Sequence, residues 1–422
     1  MIINMKEVVE KYLNNAHYEM KENIETLLDT FLSNRSHFLL LKKYQYIKLK
    51  NKSFLGIKSR TTLDYIIQNL STKVSEIKKI NSIIKITDEE SEIKKIVVNE
   101  QTIFLLPVDK AINFYFESSV LITENLTDAK IYIELAKLYL KEKNNKSTDL
   151  SITSLGSGGS QIKVQYENTI INEKKQGLCI VDSDKKYPNC KLGNTAKELK
   201  NIIKDDSINE VIILENQREL ENFIPYDLLE YLSSTTANSF CKLIDKLKIP
   251  KEFMIKYYPY IDVKNGICIK EFSDCNWVSF WYEFLKKLDF KNITCKINEK
   301  EIIFSSCEEI TLYDKNDIKD ISEKLCNGYG DKIANEFFHF LKDDKLKFLI
   351  KDLEIKKNLI IKDSEKNKKI KEIIKKIEKD IEDYQIRKKT ILKDNDDLKL
   401  IVKKVIDWGA HLYIPHQKSS IV

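Results

Sequence analysis

Residues 119–130 read SVLITENLTDAK, and residues 177–186 read GLCIVDSDKK. Each is an apolar run that ends abruptly in acid, Glu124 in the first, Asp182 and Asp184 in the second. Strands that are apolar on both faces belong inside a sheet covered on both sides, which is the habit of parallel sheets. Working outward, LSITS (150–154) and NEVIIL (209–214) supply two further short strands. TDAKIYIELAKLYLKEK (127–143), with Thr127 or Asp128 near its start, and NTAKELKNIIK (194–204) read as helices between them. This alternation predicts a doubly wound parallel α/β core, in which ligands bind beyond the carboxyl ends of the strands.

The residues that follow each predicted strand carry the chemistry. Glu124 follows the first, and SLGSGGS, with Gly156, Gly158 and Gly159, follows the second. Asp182 and Asp184 follow the third, and ENQRELENFIP, with Arg218, Glu219 and Glu221, follows the fourth. Two carboxylates so close repel each other unless a cation sits between them. Spaced i and i+2, they can face one ion while Ser183 turns away, and Mg²⁺ or Mn²⁺ suits such an oxygen donor set. Glu124 could complete the coordination or act as general base on water. The glycine turn offers unhindered N–H groups to a phosphate or simply a tight turn. Lys185 and Lys186 lie where a phosphate backbone would pass. Taken one at a time, each feature has a bland explanation: a loop D-x-D, an exposed acid, a flexible turn, acids in the first turn of a helix.

The rest of the chain sets the frame. It has 422 residues, 42% hydrophobic and 32% charged, with a net charge of +6. That length predicts two or three domains, and the modest charge does not by itself announce a nucleic-acid binder. No apolar run reaches the roughly 18 residues of a membrane span. The start, with Glu7 and Glu10, lacks an apolar signal core, so a cytoplasmic location and no membrane partner are expected. Eight cysteines without a C-x-x-C pair fit free thiols rather than a zinc or disulfide framework.

Residues 1–115 read as an α+β domain, with strands including FLLLKKYQYIKL (38–49) and a helix near 62–79. Residues 116–235 hold the acid-bearing core. Residues 236–422 read as mainly helical, with a hairpin near 292–312 and a pair of long helices within 345–390. Residues 351–400 carry sixteen basic against twelve acidic residues, a mild bias that suits a solvated helical face. Trp277 and Trp281, at i and i+4, read as core. His411 and His416, flanking Pro415, read as an accidental pair. VKNGICIKEF (263–272) reads as a turn at Gly266 whose basic ends could approach a substrate.

The order of acids resembles the TOPRIM (topoisomerase–primase) domain. Its pattern is a strand ending in Glu, usually then Gly, an Asp about four residues after the Glu, a glycine turn, and a strand ending in D-x-D. Glu124, Asp128, Asp182 and Asp184 match it, while Asn125 stands where the family generally has glycine. RELENFIP (218–225) resembles the R-E-x-E-N element of overcoming-lysogenization-defect nucleases and related phage-defence effectors, which adds Glu221 to the acids. The resemblance implies a Rossmann-like TOPRIM core in residues 118–235. It also implies a Mg²⁺- or Mn²⁺-dependent nuclease acting on DNA or on RNA such as tRNA. The implied metal ligands are Glu124, Asp128, Asp182, Asp184 and Glu221. Lys185 joins the catalytic set, and Gly156, Gly158, Gly159 and Lys186 are the substrate contacts.

Other members of the family fit less well. A topoisomerase needs a larger chain, a primase a zinc domain, and the lysogenization-defect nucleases a Walker A ATPase that this sequence lacks. What remains resembles the ATPase-less TOPRIM effectors of bacterial defence, some of which work with a separate ATPase or reverse transcriptase; such a partner and a homo-oligomer are left open. The alternative is a weak or inactive TOPRIM subunit that binds such a partner. A phosphotransferase or nucleotide-binding enzyme using the same rim is the third reading.

Overall fold

The computed structural model describes residues 1–412 apart from 16, 78–79, 100, 144–147, 204–207, 233–254, 288–292, 298–299, 305–309, 311–323, 359–363 and 394. The chain is mixed α/β with parallel sheets. It divides into two compact units that do not follow chain order. The first gathers Met1–Val181, Glu198–Ile212 and the described residues from Lys399 on; the second gathers Asp182–Lys197 and Ile213–Leu398.

The first unit holds two sheets. One contains β1 (Ile2–Asn4), β2 (Phe38–Leu40), β3 (Ser82–Thr87), β4 (Lys94–Val98) and β5 (Gln101–Pro107), in the order β2-β1-β3-β5-β4. β1 pairs parallel with β2 and β3, and β3 with β5; only the edge strand β4 runs antiparallel to its neighbour. The expected α+β segregation gives way here to α/β crossovers. Parallel neighbours need long connections, and the helices Lys6–Asn14 and Lys21–Asn34 supply the one from β1 to β2.

The long strand expected over 38–49 stops at Leu40, and Lys43–Lys50 is a helix. Its buried positions, Gln45, Tyr46 and Leu49, fall at helical spacing. The Gln45 side-chain oxygen also accepts the Lys42 N–H at 2.7 Å, closing the helix start.

The second sheet contains β6 (Tyr115–Thr123), β8 (Ile152–Gly156), β9 (Lys175–Val181) and β10 (Asn209–Ile213), in the order β10-β9-β6-β8. A short β7 (Thr148–Leu150) pairs antiparallel with Ala410–Leu412. β6 is parallel to both β8 and β9. Val120, Leu121 and Ile122 are all buried, as a strand covered on both faces requires. The helix Leu126–Glu142 carries the chain from β6 toward β8. After β8 the chain returns to the other side of β6 for β9 and β10, so the order reverses between β6 and β9.

Within this unit Glu210 of β10 joins distant segments. It accepts bonds from Lys404 at 2.9 Å, Trp408 Nε1 at 2.8 Å and Thr102 at 3.4 Å.

The second unit is mainly helical. The hairpin Ile293–Ile297 with Lys300–Phe304 is present, though Asn298 and Glu299 of its turn lie outside the described residues. The helices Asp344–Asn358 and Ser364–Thr390 run antiparallel, with Lys357 2.9 Å from Glu378 and Lys388 paired to Asp343. Trp277 and Trp281 are buried and stacked at 5.6 Å, as core residues. Pro415 and His416 lie outside the described residues. Among the described residues no helix is long and apolar enough to cross a membrane.

Candidate active site

In the first unit, the corner after β6 is shaped by the glycine turn after β8. The register sets Thr123 opposite Gly156 on one side and Ile180 on the other. The backbone oxygen of Glu124 accepts the N–H of Gly158 at 2.8 Å and of Gly159 at 3.3 Å. Both glycines have positive φ, +73° and +50°, a conformation side chains rarely tolerate. Their N–H groups thus hold the Glu124 corner to the turn. Gly156 is required for another reason: a Cβ there would lie 2.2 Å from the Leu126 nitrogen.

Asn125 is extended, at φ −123°, so this corner needs no glycine at that position. It caps the helix Leu126–Glu142, and Asp128 completes the capping box by accepting the Asn125 N–H at 3.2 Å. Asp128 is buried and serves the helix start. Burial, followed by the neighbouring Glu124 charge, pushes the Cys179 thiol well above its ordinary range, so it is an inert core thiol.

Asp182 opens the second unit. Ser183 is fully buried, and its hydroxyl donates to the Gln217 carbonyl at 2.6 Å. The Arg218 carbonyl accepts the N–H groups of both Ser183 and Asp184, at 3.1 and 3.0 Å. The flanking aspartates are thereby held to either side of an anchored serine. Asp182 accepts the Leu220 N–H at 3.1 Å. Asp184 is exposed and left-handed, at φ +55°, and Gly193 packs beneath its carboxylate. Lys185 is half-buried, its N–H on the Ser183 hydroxyl at 3.1 Å. Lys186 is paired with Glu271 at 2.8 Å, and its carbonyl accepts the Trp281 indole N–H at 3.0 Å. The Lys186 carbonyl thus anchors the loop to the helix Cys275–Lys287, and its ammonium to Glu271.

The third element is a buried charge cluster that sequence reading did not assemble. Lys264 places its ammonium 3.1 Å from Glu221 and 3.3 Å from Glu219. Arg218 pairs with Asp262 at 2.8 Å. The Val263 N–H donates to Glu219 at 3.1 Å, and Asn222 donates to the carbonyls of Tyr258 and Ile261, at 2.7 and 3.0 Å. Burial, then the Glu221 charge, raises Glu219 to about 7 despite Lys264. Burial alone would lower Lys264, but the charges of Glu221, Glu219 and Asp182 outweigh it and raise its pKa. The one sequence signal for Lys264 was the basic flank of the Gly266 turn.

The D-x-D carboxylates are hard oxygen donors of the kind magnesium takes, one or two at a time beside water. Among the described residues no group of three His, Cys, Asp or Glu side chains stands close enough to hold an ion. No family model, curated protein or solved structure matches the chain.

Proposed function

We propose that this protein is a metal-dependent nuclease of TOPRIM type that hydrolyses phosphodiester bonds in DNA or RNA. The single observation supporting this most strongly is the reversal of strand order between β6 and β9. Ligands of open parallel sheets gather at such a switch point, beyond the carboxyl ends. In this chain those two strands are the ones followed by Glu124 and by Asp182-Ser183-Asp184.

Asp182 and Asp184 would hold Mg²⁺ or Mn²⁺, which when bound stabilises charge on phosphoryl oxygens. On the TOPRIM resemblance Glu124 would act as general base on water or as a further oxygen donor to the ion. Lys185 offsets the charge of the phosphate backbone. The role in phage defence draws on the resemblance of RELENFIP, and a separate ATPase or reverse-transcriptase partner on that resemblance together with the missing Walker A motif.

A second reading, a subunit with little activity that binds such a partner, draws on two observations. Lys264 already pairs with both Glu219 and Glu221. The charge-dense helices within 345–400 are its other support.

The deciding experiment incubates the purified protein with Mn²⁺ or Mg²⁺ and plasmid, single-stranded DNA or total tRNA. Cleavage abolished by Glu124→Gln and by Asp182→Asn is the expected result. Cleavage indifferent to both removes the proposed site, and no cleavage of any polymer favours the partner-binding reading.

A further inference from the structure

The acids after β10 do not await a cation, because one is built into the chain. Lys264 lies on a short segment clamped from several sides. The Gly266 N–H donates to the Asp262 carbonyl at 2.7 Å, and Gly266 takes the left-handed φ of +83° that this turn needs. Tyr329 and Gly330 donate their N–H groups to the carbonyls of Val263 and Lys264, at 2.8 and 2.9 Å. Gly328 packs so closely that a Cβ would lie 2.3 Å from the Lys264 carbonyl carbon. The Val263 N–H and the Lys264 ammonium both bind Glu219, so backbone and side chain grip the same carboxylate.

A lysine fixed this way behaves less like a flexible surface charge than like a resident ion. Glu219 and Glu221 are almost wholly buried. Two carboxylates in that setting require a positive charge, and Lys264 provides it from within the second unit.

We infer that Lys264 is the resident cation of the Glu219–Glu221 cluster, holding with its ammonium the position that a further divalent ion would otherwise take. Its catalytic meaning depends on the nuclease reading above: Glu221 then serves Lys264 rather than a metal, and the reaction proceeds without an ion at that cluster. The location of the ammonium does not depend on that reading. Lys264 is on this view a positioning residue, keeping the segment from Arg218 to Asn222 in place behind the D-x-D loop through the Arg218 carbonyl.

The test counts bound Mn²⁺ per chain by electron paramagnetic resonance of the free ion, with full-length protein. Lys264→Met should bind about one more ion than the wild type, and Lys264→Arg should gain none. Equal counts for Lys264→Met and wild type overturn the inference. Should Lys264→Met fail to fold, Glu221→Gln decides: an unchanged ion count supports the assignment, and loss of an ion refutes it. Both readouts are differences in ion count, so they stand whether or not the wild type cleaves nucleic acid. Loss of the nuclease reading would show separately, as polymer cleavage indifferent to Glu124→Gln.

Discussion

Gly193 lies directly against Asp184: a Cβ at position 193 would fall 2.2 Å from Asp184 Oδ2 and 2.7 Å from its Cβ. The same glycine donates its N–H to the Ser183 carbonyl at 2.8 Å, closing the D-x-D loop on itself. Only a residue without a side chain lets the loop close so tightly over its second acid.

Gly193→Ala is therefore expected to displace Asp184 while leaving the cores of both units intact. Metal-dependent cleavage should fall by up to about a hundredfold, the scale of a misplacement near 1 Å. The thermal midpoint should fall by only a few degrees. Assays of cleavage and melting on the same preparation check both halves.

Asp182→Asn retains a side-chain oxygen for the Leu220 N–H, which Asp182 accepts at 3.1 Å. Folding should survive while the charge is lost. Cleavage is expected to fall by roughly a hundredfold or more, because charge stabilisation at the reacting phosphate is typically worth that much. Circular dichroism with a cleavage assay separates this from unfolding.

Glu210 tests the architecture of the first unit without touching the proposed chemistry. Glu210→Ala leaves Lys404, Thr102 and the Trp408 indole N–H without this shared acceptor. A loss of about 2–4 kcal/mol is expected, in the range for breaking a buried charge network. Urea unfolding with a constant m-value would measure it.

Asp407 gives the fold a pH dependence of known sign. Burial raises its carboxyl from 3.8 to about 6, against the opposing Asn81 N–H, which it accepts at 2.9 Å, and Lys404. A raised folded pKa means that stability is greatest with the group protonated and is lost as pH climbs from about 4 through 6. The Met1 amino group, lowered to about 5 by burial, bends the wild-type curve the other way. The informative quantity is thus the difference between Asp407→Asn and wild type. It should shift by about 1–3 kcal/mol in favour of the variant between pH 4 and 7. A flat difference over that range would show that Asp407 is not strained by its burial.

Much of the second sheet was legible because its cause is local. Val120, Leu121 and Ile122 are apolar on both faces, and that pattern alone requires a covered strand. The stacked tryptophans, the hairpin at 293–304 and the long helices near 345–390 were legible for the same reason, since period and turn chemistry are written residue by residue. The helix at Lys43–Lys50 was misread where a run of apolar and aromatic residues suits either element. Its capping by Gln45 and its burial against the core settled the choice.

From the sequence alone came the acids and their order along the chain: Glu124 after one strand, Asp182 and Asp184 after another, Glu219 and Glu221 after a third. Tertiary structure decided how several of them are used. Asp128 closes a helix, Gly158 and Gly159 bind the Glu124 carbonyl, Lys186 holds Glu271, and Lys264 reaches Glu219 and Glu221 from a distant turn. The reason is that hydrophobic periodicity depends on near neighbours, whereas the partner of a buried charge is whichever opposite charge the folded chain brings within a few ångströms.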